Sequence, residues 1–206
     1  GSWPSSKFLH IGGDCATKEV HRIRVDTNNA DCWRNLGGSS SVEGWMTGSF
    51  GKLFFGTASG VPLQFHVLNN TESTAACPDP PAAGTAPYAD LSGSTGFPYP
   101  HGGAAITRGA KVNWMSTADE VYFVDDNGYL YCTCQTVATG CASVGAACAG
   151  FPVALDPGKK LREPLNDNGR LYVVSDSGKV FAVETLYDPS CASTNCDVIA
   201  GCAQVG

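Results

Sequence analysis

One short unit recurs along this chain with its residue types in the same order. Residues 51–60 read GKLFFGTASG, 119–128 read DEVYFVDDNG and 169–178 read GRLYVVSDSG. The three segments align without gaps: a charged residue, a run of mostly β-branched or aromatic residues, and a polar turn closed by glycine. A second apolar run follows each, VPLQFHV, YLYCTC and KVFAVE. Val, Ile, Tyr and Phe suit the pleated backbone, and glycine adopts the positive φ that tight antiparallel turns demand. Each unit therefore predicts a β-hairpin. A looser fourth copy opens the chain, KFLHIGGDCATKEVHRIRV, with a longer turn that contains Cys15.

The repeat has flanks as well. WMT at 45–47 and WMS at 114–116 precede their hairpins at nearly the same distance, and DCWRNLGG and DVIAGCA are placed to add an outer strand to the first and last copies. The hairpins start at Lys7, Lys52, Glu120 and Arg170, and the one long interval holds a segment rich in Pro, Gly, Ala, Ser and Thr, CPDPPAAGTAPYADLSGSTGFPYPHGG. Because the repeat resumes beyond it, the span at about 69–104 reads as a surface-loop insertion in a single domain covering residues 1–206. Without it the period is about 40–50 residues with about four short strands per unit. That spacing predicts an all-β protein, a β-propeller of about four blades. Each blade is a four-stranded antiparallel sheet, and the set is either closed on itself or part of a larger ring. A β-sandwich is the alternative. No stretch sustains a 3.6-residue apolar period, so helix should be minor. The repeated tryptophans are expected to fill the seams between blades.

Composition narrows the setting. A net charge of −6 and the lack of any basic cluster argue against nucleic acid as partner. No apolar run reaches the roughly 18 residues of a membrane span, which argues against membrane insertion. Ten cysteines, with neither paired CxxC knuckles nor an HxxxH partner, point to disulfides in an oxidising compartment rather than zinc. Spacing does not fix the connectivity, but Cys15 with Cys32 and Cys191 with Cys196 are candidate local pairs. Cys132 or Cys134 with Cys141 or Cys148 is a third, its connectivity open.

In GRLYVVSDSGKVFAVE, and more weakly in the other hairpins, the pattern (G/D)x(L/V)YxVxDxGx(V/L)xA resembles the blade repeat of quinoprotein-like propellers. It is similar also to the Cys-decorated propeller repeats of bacterial secreted and cell-surface proteins. The resemblance covers the four hairpins and implies the propeller fold. The adjacent cysteines and the ALDxxTGxxxW segments of the enzymatic members do not occur here, so it implies the non-enzymatic, Cys-rich type.

Chemistry-bearing residues are few. Asp26, Asn28 and Asp31 in VDTNNAD form the one oxygen-rich loop with spacing suited to calcium; no other cofactor is expected. The turns at 125–127 and 175–177 are explained as turn formers. Phe97, Tyr99 and His101 are aromatic and polar contacts for a ligand on the insertion. No GxSxG elbow or phosphate-binding glycine loop is present. The function expected is a secreted or cell-surface module for binding or assembly, in adhesion or in an extracellular filament or sheath. Its partner would be an extracellular protein, a polysaccharide or further copies of itself. An extracellular cofactor-dependent oxidoreductase or hydrolase is the alternative.

Overall fold

Four antiparallel sheets follow one another along the chain in a computed structural model. It describes residues 8–12, 19–24, 29–35, 41–49, 52–59, 63–69, 99–101, 103–113, 120–134, 143, 145–167 and 170–185. The first sheet is β1 (Phe8–Gly12), β2 (Glu19–Arg24) and β3 (Asn29–Asn35). The second is β4 (Thr47–Ser49), β5 (Lys52–Gly56), β6 (Leu63–Asn69) and β7 (Tyr99–His101). β8 (Lys111–Asn113), β9 (Glu120–Val124), β10 (Tyr129–Cys134) and β11 (Val153–Ala154) make the third. The fourth is β12 (Leu165–Asp167), β13 (Arg170–Val174) and β14 (Val180–Glu184). Every sheet is a meander in chain order, which is how a propeller blade is wound. No helix occurs among the described residues, and so none there is long and apolar enough to cross a membrane.

The four hairpins stand where the repeat predicts them, as β1–β2, β5–β6, β9–β10 and β13–β14. Gly128 and Gly178 close two of the turns with φ of 92° and 87°, a conformation that side-chain-bearing residues rarely adopt. DCWRNLGG does supply an outer strand, β3, whereas DVIAGCA lies outside the described residues. Most of the expected insertion, residues 70–98, lies outside the described residues, and β7 beyond it pairs with β6 as the outer strand of blade 2. Blades 2 and 3 are four-stranded; blades 1 and 4 show three strands each among the described residues.

Burial shows how the blades stack. In β9, Val121 and Phe123 pack with Phe54 and Phe65 of blade 2, while Tyr122 and Val124 pack with Leu171, Val173 and Phe181 of blade 4. Alternate residues of one strand thus serve two different seams, the leading face meeting the preceding blade and the trailing face the next. Leu53 and Phe55 of β5 meet Val20 of blade 1 in the same way. Phe65, Phe123 and Tyr131 form a continuous ring stack through the second seam, with centroids 4.1 and 5.0 Å apart. Each such side chain removed from water contributes about 1.5–3 kcal/mol, so the seams, not the isolated sheets, hold the fold together.

The tryptophan echo does not mark equivalent positions. Trp45 and Met46 precede β4, but Trp114 follows β8. Trp45 is 79% exposed, so it fills no seam. The true equivalence lies in the links between blades. Ala58 N–H donates to Ser41 O, Asp126 N–H to Ala105 O, and Asp176 N–H to Lys160 O. Each bond ties the middle of a hairpin turn to the link that enters its blade. The next residue of each link, Val42, Ile106 and Leu161, is buried and drives into the seam.

Candidate functional site

The links and the hairpin turns converge on one edge of the stack, and the polar chemistry of the described residues is concentrated there. Asp125 opens the turn of blade 3 and is almost wholly buried. Its Oδ1 accepts the N–H groups of Asn127 and Tyr129, both at 3.0 Å. Its Oδ2 accepts the Ala104 N–H at 3.1 Å and the Tyr131 hydroxyl at 3.0 Å. The carboxylate therefore shapes its own turn and holds the incoming link at once. Burial, followed by the Asp125 charge, pushes the Tyr131 hydroxyl well above its ordinary pKa. Burial alone raises that of Tyr99.

Asp126, one residue on, is clamped from both sides. Thr107 Oγ1 of the entering link donates to its Oδ1 at 2.6 Å, and Lys160 Nζ of the departing link to its Oδ2 at 2.6 Å. Blade 4 repeats the first of these contacts as an ion pair, Arg162 to Asp176 at 2.7 Å. Asp156, carried over the blade 3 turn by the bonds Leu155 N–H and Asp156 N–H to Gly128 O, reaches the blade 4 turn. Ser175 and Ser177 donate to its Oδ2 at 2.5 and 2.6 Å, and Lys179 to its Oδ1 at 2.9 Å. The serine hydroxyls, more than the lysine, hold its carboxyl below the usual carboxylate range.

Asp125, Asp126 and Asp156 have both oxygens engaged, and in this arrangement they fasten the turns to the links. What the face offers outward is cationic and apolar. Lys160, Arg162 and Lys179 remain about half exposed beyond their partners. Trp45 stands on the link that enters blade 2, two residues before Thr47, whose hydroxyl donates to Ala110 O at 2.9 Å between adjacent inner strands. The exposed indole is thus near the inner ends of the blades. It was legible in the sequence only as a seam residue; its role as a surface group depends on the register of β4.

Of the residues expected to bind ligands, several lie outside the described residues. Asp26 and Asn28 lie outside the described residues, and Asp31 is on β3. No group of three or more His, Cys, Asp or Glu is placed to hold a metal among the described residues. Phe97 lies outside the described residues too, and His101 is the last residue of β7. Tyr99 is half-buried with its ring edge-on to Phe123, centroids 6.1 Å apart. Of the cysteines, Cys132 is bonded to Cys148, Cα atoms 5.3 Å apart, one of the pairings the sequence left open. Cys134 is disulfide-bonded as well, and its sulfur touches that of Cys148 at 3.7 Å. Neither sulfur carries a proton, so this is van der Waals contact between two bridges in the blade 3–4 seam. Cys15, Cys141, Cys191 and Cys196 lie outside the described residues, and Cys32 is on β3.

Neither a protein-family model nor a curated protein sequence matches this chain. Among solved structures it is similar to BamB from Moraxella catarrhalis, with a TM-score of 0.55 and 14% identity. The match covers 88% of this chain but 45% of that one, so this chain spans less than half the length of that structure. At this identity the likeness speaks to fold alone. With the four consecutive antiparallel meanders, it identifies the architecture as an all-β propeller.

Proposed function

We propose that this chain is a binding and assembly module that works outside the cytoplasm, secreted or at a cell surface, and that its contact face is the turn-and-link edge around Trp45. The observation that carries the reading is Trp45 itself, 79% exposed beside the start of an inner strand on a rigid scaffold. Tryptophan is the side chain most often found at the energetic centre of interfaces, since its large apolar ring gains most from leaving water. The half-exposed Lys160, Arg162 and Lys179 on the same edge would pair with acidic or polar groups around such a contact. The buried Cys132–Cys148 bridge supports the oxidising compartment. The partner class this supports is an extracellular protein or polysaccharide, as in adhesion or a surface sheath. The likeness to BamB agrees with a propeller scaffold for such a role.

The test is capture of surface-protein and polysaccharide fractions by the immobilised chain, with Trp45→Ala alongside. The expected result is capture that falls at least about tenfold in the variant, as for an interface anchor, with an unchanged unfolding midpoint. Equal capture by both proteins would overturn the assignment to Trp45. A visible chromophore or a stoichiometric redox metal in the purified protein would move the reading to the oxidoreductase class.

A further inference from the structure

We infer that the trailing face of blade 4 is an interaction surface, and that it receives the leading face of blade 1 from a second copy of this chain. The inference deepens the assembly reading but rests on the blade geometry, not on Trp45.

In blade 3 the trailing face carries Tyr122, Val124 and Leu130, exposed by 0%, 1% and 0%. The strand registers put Tyr172, Val174 and Val180 at the same positions of blade 4, since Val124 pairs with Leu130 and Val174 with Val180. There they are 36%, 39% and 36% exposed. Leu165 of the inner strand β12, at the level of Tyr172, is 63% exposed. Among the described residues five large hydrophobic side chains are exposed, and all but Trp45 lie on this one sheet face. The leading face of the same strand, Leu171 and Val173, is completely buried, so among the described residues the strand is half of a seam without its other half. Tyr172 repeats Tyr122 in residue type as well as place, and what covers Tyr122 is the leading face of another blade. The occupant is therefore a blade.

At the other end of the chain the matching register positions hold apolar residues. Val20 packs on Leu53 and Phe55, which fixes the side of the first sheet that meets blade 2. Val20 pairs with Gly12 as Phe65 pairs with Gly56. Leu9 and Ile11 of β1 then stand in register with Leu53 and Phe55, with Val121 and Phe123, and with Leu171 and Val173. The leading positions are apolar in all four blades. A blade 4 to blade 1 contact is head-to-tail, and head-to-tail contacts close into rings when the rotation allows. The match covers 45% of the BamB chain, so two copies supply about the length of chain that one such structure contains. Two equivalent seams then close a two-fold ring.

Light scattering with size exclusion on the full chain tests this. The expected mass is that of two chains. Tyr172→Glu, whose side chain is already exposed, should fold normally and weaken dimerisation at least about tenfold, as expected for an aromatic anchor at an interface centre. Leu9→Glu should do the same from the other end. Mixing the two variants should restore a two-chain species, because one intact seam remains between an unaltered blade 4 and an unaltered blade 1. A monomer at all concentrations, a dimer indifferent to Tyr172→Glu, or open-ended oligomers would each overturn the closed two-copy ring. Trp45→Ala should leave the mass unchanged, which separates this test from that of ligand capture.

Discussion

Ile106 occupies the space that a side chain on Gly56 would need. A β-carbon added to Gly56 would collide with the Cβ and Cγ2 atoms of Ile106, which enters the seam between blades 2 and 3 from the link. The register equivalents of Gly56 in blades 3 and 4 are Val124 and Val174, so blade 2 gives up a side chain where the two blades after it keep one. Gly56→Val is expected to lower stability by about 1–3 kcal/mol through overpacking. Ile106→Ala should cost about 2–5 kcal/mol through the cavity it leaves. Because the two residues share one space, the double variant should lose less than the sum of the singles, as urea midpoints will show.

Tyr131 and Asp125 define an alkaline limit. The tyrosine pKa is raised in the folded state, so the stability that its protonated hydroxyl brings is complete below the unfolded value of about 10 and is lost as pH rises above it. Tyr131→Phe is expected to cost about 1.5–3 kcal/mol at neutral pH, the worth of a hydrogen bond to a charged group. It should also remove this part of the alkaline loss. Unfolding midpoints with ultraviolet titration of tyrosinate will measure both.

Asp156 sets the complementary acid limit. Its carboxyl is held below the usual range by Ser175, Ser177 and Lys179, so its contribution is present above the unfolded value of about 3.9 and is lost as pH falls below it. Asp156→Asn should lower the urea midpoint at pH 7 and flatten its decline in acid. Parallel melts of both proteins across the acid range will show whether the curves converge.

The Cys132–Cys148 bridge closes a loop of 16 residues that returns the chain to the edge of blade 3. Chain-entropy arguments assign a loop of that size about 3 kcal/mol. A Cys132→Ala/Cys148→Ala variant is expected to lose about that much, read from denaturant unfolding under oxidising conditions.

Residue order alone determined the hairpins, because glycine-closed polar turns between β-branched and aromatic runs leave an antiparallel pair as the natural local structure. It determined also the outer strand at DCWRNLGG and the blade count, which follow from spacing. The equivalence of Val42, Ile106 and Leu161 was not legible, since SVEG, AITR and KLRE share a single apolar position and nothing else. The WMT and WMS echo misled for the matching reason: identical letters do not say on which side of a strand they fall. Asp125 and Asp126 read as turn formers, which they are, but they also accept hydrogen bonds from donors on the links, 19 or more residues away in sequence.

Local backbone preference acts over a few residues, so sequence could specify each blade. Which side chain is buried depends on what the neighbouring blade places opposite it, and that is a property of the stack. Tyr122 and Tyr172 occupy the same place in the same repeat, yet one is sealed in a seam and the other is 36% exposed, because among the described residues only Tyr122 has a blade packed over it.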